Sequence, residues 1–215
     1  MPGDLGPCPG HGLVVASGVT LDGAGHRLSG LGDGSEQYGV YLHGAEGATV
    51  KNVEVTRFLQ GIRLRQATGN RILDNRVLQN GHLPSRTGYG INLAGGSRRN
   101  LIRGNSVVGS GDEGIHVGTG GHLNEIVANR ISESSREHLY VLGSDGLLIE
   151  GNTLGGGGTT ALYIKNSKAL RVVGNTILDR PAHIVGDSRD ICFARNDLVR
   201  ASLRVEAPEP PHARC

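Results

Sequence analysis

Residues 100–117, NLIRGNSVVGSGDEGIHV, and residues 124–141, NEIVANRISESSREHLYV, are two copies of one pattern set 24 positions apart. Each opens on an asparagine (Asn100, Asn124) with an isoleucine two residues later (Ile102, Ile126). A second asparagine (Asn105, Asn129) then precedes Val107 or Ile131 by two positions. A short apolar–polar–apolar stretch closes each copy: Ile115-His116-Val117 and Leu139-Tyr140-Val141. Working outward, asparagines recur at Asn75, Asn105, Asn129, Asn152, Asn175 and Asn196, with steps of 30, 24, 23, 23 and 21. An earlier copy keeps the apolar positions Val50 and Val55 but has Val53 in place of the asparagine. The closing stretch recurs as Val40-Tyr41-Leu42, Ile62-Arg63-Leu64, Ile91-Asn92-Leu93 and Leu162-Tyr163-Ile164, and weakens at Ala182-His183-Ile184. The two columns keep step with each other.

Strands of three to five residues at this spacing, broken by Gly, Asn, Ser and Asp, predict a parallel β-solenoid. Leucine-rich repeats lack support because their leucine framework is absent, and helical repeats because no 3.6-residue apolar period runs through the turn-rich linkers. Stacking coil on coil sets like residues about 4.8 Å apart. Inward asparagines then form amide ladders, which remove the cost of burying them. Composition agrees. Glycine supplies 36 of 215 residues, without a Gly-X-Y period, so collagen is excluded, and the aliphatic runs exclude disorder. A net charge of +2 argues against a dedicated nucleic-acid binder. No apolar run approaches the ~18 residues of a spanning helix, and no signal segment opens the chain, so no membrane partner is expected. Three cysteines (Cys8, Cys192, Cys215) are too few for a disulfide framework or a zinc site. The expected organisation is an irregular cover over 1–18, a single all-β solenoid domain of about eight coils over 19–205, and a flexible tail over 206–215, with the insertion QNGHLPSRTGYG inside the 30-residue step.

The opening CPGHGLVVASGVTLDGAGHRLSG and the later GATVKNVEVTRFLQGIRL resemble the first coils of right-handed, single-stranded parallel β-helix repeat proteins of the NosD-like and carbohydrate-binding/sugar-hydrolase (pectate-lyase-like) type. The resemblance covers about residues 8–205 and implies the fold. For function it implies a polysaccharide or oligosaccharide partner and a secreted or periplasmic location. Lyases, epimerases, hydrolases and purely structural members share this fold.

Alternation places the middle residue of each closing stretch outward, giving the column Tyr41, Arg63, Asn92, His116, Tyr140, Tyr163, His183 and then Arg204. Tyrosine and arginine offer stacking area and directional hydrogen bonds suited to sugars. In this column Tyr41, Tyr163 and His183 are the expected substrate-binding residues. Asn92, His116 and Tyr140 are neighbours on successive coils. Cleavage of a uronic-acid polymer by β-elimination needs a carboxylate binder (Asn92 with Arg63), a base (His116) and an acid (Tyr140). Arginine outnumbers lysine 19 to 3, which suits bidentate carboxylate recognition. An epimerase is disfavoured because YGINLAGG lacks the Asp-Pro-His-Asp-type motif of the β-helix mannuronan epimerases.

A rival set is Asp112, Glu113 and Glu137, in which SGDEGIHVGTG resembles the paired-acid strand of β-helix polygalacturonases. Glu113 and Glu137 stack at the roughly 5 Å spacing of a retaining glycosidase. The flanking motifs of those enzymes are missing at Thr87-Gly88-Tyr89 and Arg136-Glu137-His138. Asp112 and Arg136 alternatively form a turn salt bridge. A non-catalytic sugar-binding module and a bare structural scaffold remain the readings without chemistry. No cofactor is expected and no metal ligand is assigned, although Glu113, His116, Glu137 and His138 share neighbouring columns. Calcium bridging a uronate to Asp112 or Glu113 is the one ion considered. Copper lacks soft ligands, with Met1 the one methionine.

Overall fold

The computed structural model describes residues 1–33, 36–81 and 88–214. The central residues of the expected insertion loop, 82–87, lie outside the described residues. The strands form three parallel sheets, and every third strand along the chain joins the same sheet. The first sheet runs from Leu5–Cys8 to Asp197–Val199 with nine strands. The second runs from Leu13–Val14 to Leu203–Glu206, also with nine, and the third from Thr20–Asp22 to Arg189–Ala194 with eight. This is the expected all-β solenoid of about eight coils. Residues 1–18 already contribute strands to two sheets, and near the other end the backbone of His212 exchanges hydrogen bonds with Ile191 and Phe193.

Register follows the letters. Ile72, Ile102, Ile126, Ile149 and Val172 are successive partners in the third sheet. Val55, Val77, Val107, Ile131, Leu154 and Ile177 are partners in the first. All of these side chains are buried. A one-residue slip in any coil would turn its apolar side chains outward, so burial pins the register.

The asparagine column makes a continuous ladder. The side-chain amide of each member donates to the carbonyl oxygen of the next, from Asn75 through Asn105, Asn129, Asn152 and Asn175 to Asn196, at 2.9–3.0 Å. Each receiving oxygen also accepts the backbone N–H of the asparagine before it. At the ladder's start, Asn75 Oδ1 accepts the N–H of Val53, the position where the sequence copy lacks its amide. A shorter ladder links Asn70, Asn100 and Asn124. A serine column went unread in the sequence: Ser97, Ser144, Ser167 and Ser188 each accept a backbone N–H from the preceding coil. The residue before each long-ladder asparagine has positive φ, as at Asp74 (54°), Ala128 (52°) and Arg195 (54°). Local hydrogen bonding therefore outweighs the roughly 1–2 kcal/mol cost of the left-handed conformation for a non-glycine residue.

Asn129→Ala is expected to lower stability by about 1–3 kcal/mol, because it strands the N–H of Asn105 and the carbonyl of Ile102 away from water. Denaturant titration checks this, and an unchanged midpoint would contradict the ladder's energetic role.

Candidate functional site

The strands of the second sheet carry an irregularity that decides the site. In Gln60–Arg65, Gly61 and Ile62 are both fully covered while Arg63 is half-buried. Two consecutive inward residues push the alternation out of phase, so residues three apart, Gln60 and Arg63, both reach the outer face. The inward position is glycine at Gly39, Gly61, Gly90 and Gly114. A Cβ on Gly114 would lie 2.3 Å from Ile131 Cγ2. The outer face therefore bears two parallel columns. One is the expected line, confirmed in register from Tyr41 through Arg63, Asn92, His116, Tyr140, Tyr163 and His183 to Arg204. Beside it run Tyr38, Gln60, Tyr89, Glu113, Glu137 and Thr160.

The two constellations read as rivals in the sequence thus form one site. Ligand atoms of Asp112, Glu113 and Glu137 lie within 4.8 Å of one another. Glu113 Oε2 is 3.8 Å from His116 Nδ1. Arg136 reaches all three acids, with Nη1 3.3 Å from Asp112 and 3.9 Å from Glu113, and Nε 3.5 Å from Glu137. The expected Asp112–Arg136 salt bridge is therefore present, but as part of a larger network. His116 is stacked at 5.3 Å on Tyr140 and lies 4.8 Å from the Tyr89 ring. Tyr140 in turn stacks at 5.3 Å and 5° on Tyr163. Gly118 leaves space beside His116 Nε2, since a Cβ there would come within 3.3 Å of it.

Burial shapes the electrostatics. Asp112 is pushed up to about 6, first by desolvation and then by the charge of Glu113. Glu137 is raised by desolvation, which outweighs the opposing pull of Arg136. Tyr89 is pushed up to about 12 and Tyr140 is also raised, each chiefly by desolvation with Glu113 adding to it. Both phenols therefore stay protonated at neutral pH. Buried Glu113 Oε2, Glu137 Oε2 and His116 Nδ1 have no hydrogen-bond partner among the described residues.

Several expectations change. Asn92 does not face solvent: it is buried, and its amide donates to Gln60 Oε1 at 2.9 Å. One of its two N–H donors is thus committed, and its burial keeps the side chain from reaching a substrate carboxylate. Arg63 lies two coils from His116 and is held by Tyr38, with Nη1 donating to its hydroxyl at 3.0 Å and the guanidinium 4.6 Å over its ring. It is therefore badly placed to serve the same sugar as His116. The aromatic column offers less stacking area than expected, because the rings of His116, Tyr140 and Tyr163 cover one another and present their edges. His183 closes the series, tilted 6.0 Å from Tyr163. At the other end Tyr41 belongs to a separate cluster with His11, Tyr38 and His43. Cys192 is disulfide-bonded and Cys8 is free.

His138 does not join the acidic group. It occupies the inward position of Gly90 and Gly114 and is fully buried. The GGGG corner accommodates its ring: a Cβ on Gly158 would lie 2.9 Å from His138 Cε1. The stretch LGGGGTT is thus packed against a core imidazole.

A family model described as periplasmic copper-binding protein (NosD) matches residues 18–209. No curated protein matches the sequence. Among solved structures, alginate lyase from Paenibacillus sp. str. FPU-7 is 19% identical at a TM-score of 0.62, with 93% of this chain and 92% of that one covered. A double mutant of the periplasmic alginate epimerase AlgG is 15% identical at 0.60, covering 93% of this chain and 48% of the epimerase. The chain thus spans about half the epimerase's length. A glycoside hydrolase is 14% identical at 0.59, covering 93% and 38%. At these identities the likeness is one of fold. Copper does not suit the donors present. Among the described residues the one cluster of three or more ionisable ligands is the acidic trio, whose hard oxygens prefer other ions and already hold a guanidinium.

Desolvation lowers the His138 imidazole to about 4, beneath its unfolded value of about 6.5. The unfolded chain binds the proton first, so this contribution to stability is complete above pH 6.5 and is lost as pH falls toward 4, on the order of 3 kcal/mol. Urea midpoints at pH 7 and 4.5 should therefore converge more for His138→Ala than for wild type. Identical pH dependence in the two proteins would contradict this assignment.

Proposed function

The chain belongs to the NosD family, and from that premise we propose that its second sheet is a carbohydrate-binding face whose centre cleaves an acidic polysaccharide by β-elimination. One observation carries the reading: an imidazole, a protonated phenol and a guanidinium meet around one buried carboxylate cluster on successive coils. Elimination from a uronate requires those three functions. Arg136, half-exposed beside His116, replaces Asn92 and Arg63 as the group that offsets the substrate carboxylate. Asp112 can yield its place at Arg136 by taking up a proton, because burial pushes its carboxyl up to about 6. His116 accepts the proton from the carbon next to the carboxylate through Nε2, with Glu113 Oε2 3.8 Å from Nδ1. The electron pair forms the new carbon–carbon double bond, the glycosidic carbon–oxygen bond breaks, and Tyr140 delivers its proton to the departing oxygen.

The alginate lyase and epimerase among the structural neighbours support uronate polymers as the substrates to test. The periplasmic description of the family and the disulfide at Cys192 support an exported protein, since disulfides persist in oxidising compartments. A second reading, hydrolysis, is favoured by the three carboxylates within 4.8 Å, with Asp112 titrating near 6 as the acid. No chemical step is assigned to a metal or cofactor.

Incubation with alginate or polygalacturonate should generate unsaturated ends that absorb in the near ultraviolet. His116→Phe, which preserves a ring between Tyr89 and Tyr140, should abolish this signal while leaving thermal unfolding nearly unchanged. Tyr140→Phe should lower turnover about 100-fold or more, the usual scale of a lost acid. Reducing ends without the absorbance would favour hydrolysis instead, and full activity in His116→Phe would remove His116 from the chemistry.

A further inference from the structure

Charge is nearly balanced in total but segregated along the solenoid. From residue 55 to residue 111 the sequence holds nine arginines, no lysine and one carboxylate, Asp74. Three of these arginines are engaged: Arg57 with the Leu31 carbonyl, Arg63 with Tyr38 and Arg76 with Glu54. Arg65, Arg71, Arg98, Arg99 and Arg103 are exposed, and their side chains make no hydrogen bond or ion pair among the described residues.

These five occupy two adjoining coils on the third sheet and the corner leading into it. Arg71 lies beside Leu101 and Arg103 beside Leu73, across one strand pair. Arg98 bridges to Thr68 at the corner, with Arg99 next in the chain. Arg65 pairs with Ala94 at the edge of the second sheet. Glu46, Asp74 and Glu125 border the patch. Arg71 and Arg103 are diagonal neighbours on adjoining coils, roughly 7–8 Å apart at the backbone, and their like charges repel. A bound polyanion would remove that repulsion.

We propose that this arginine patch is a second glycan-binding surface, separate from the carboxylate-lined groove, that holds a linear acidic polysaccharide. Guanidinium groups match carboxylates with paired parallel hydrogen bonds, and a pyranose repeat is close in length to the coil spacing. A neutral glycan has no use for five cations. Bases of a nucleic acid would find no aromatic platform in the patch. The surface requires no turnover, so it stands whether or not the groove is catalytic.

Affinity electrophoresis at low salt in gels containing alginate, a neutral glucan or duplex DNA tests the proposal. Three proteins are compared: wild type, His116→Phe, and the combined Arg71→Gln, Arg98→Gln, Arg99→Gln and Arg103→Gln variant. Wild type and His116→Phe should both be retarded by alginate and not by glucan. The quadruple variant should bind alginate about tenfold more weakly or worse, with unchanged melting, because all four side chains are exposed. Equal retardation of the quadruple variant, or none of wild type, overturns the proposal. Equally strong binding to DNA lost by the same substitutions overturns the choice of glycan. Retardation without cleavage would sink the elimination mechanism and leave this surface standing.

Discussion

The structure depends on a buried amide that must be satisfied once per coil. A primary amide has two donors and an acceptor, and an asparagine in the solenoid core can place them only along the stacking direction and onto the turn backbone. Asn129 illustrates this, donating to Asn152 Oδ1 and to the carbonyl of Ile102 while accepting from Asn105. Shifting one coil by a residue would strand several of these groups at once, each at roughly 1–3 kcal/mol. The ladder thus fixes register at one corner, and burial of the aliphatic columns fixes it elsewhere. Every functional relationship on the outer face follows from that shared register.

The fold and the outward column were legible for this reason. Once Asn105 and Asn129 are spatial neighbours, His116 and Tyr140 must be neighbours too, and the register bears this out. Less legible was anything set by the side chain's direction rather than its coil. Strict alternation assigns Glu113 and Glu137 no common surface with His116. The phase slip at Gly61, Gly90 and Gly114 supplies it, and the glycines themselves were the available signal, since a β-strand has no other reason to repeat glycine beside its most buried residue. The burial of Asn92 is not legible because its partner, Gln60, occurs once in a column that elsewhere holds Tyr, Glu and Thr. Arg136 was read as half of a salt bridge because pairwise spacing does not reveal that three acids share it.

The same limits explain the metal and ring expectations. His138 follows Glu137 directly, yet it occupies the inward position, so adjacency in sequence separates the two rather than uniting them. Tyrosines one coil apart stack on each other and spend their faces, which leaves edges for a ligand. A ladder of identical aromatics is therefore a line of hydroxyls more than a platform. That distinction matters for carbohydrate recognition, because hydroxyl edges select by hydrogen-bond geometry whereas ring faces select by apolar sugar surface.

The acidic centre sits on two regular coils, the asparagine steps of 24 and 23 residues from Asn105 to Asn152, between the insertion before Gly90 and the Gly155–Gly158 corner. Regular coils have little freedom to bury ionisable groups, because each column must be tolerable in every copy. Asp112, Glu113 and Glu137 are partly or fully desolvated, and two of them are visibly pushed toward their protonated forms. This arrangement works against stability: a cluster of three acids around one arginine is costly to desolvate, and an apolar substitute of similar volume would commonly fold as well or better. Neither the amide ladder nor the aliphatic core requires the cluster. Its place beside His116 fits a chemical role better than an architectural one.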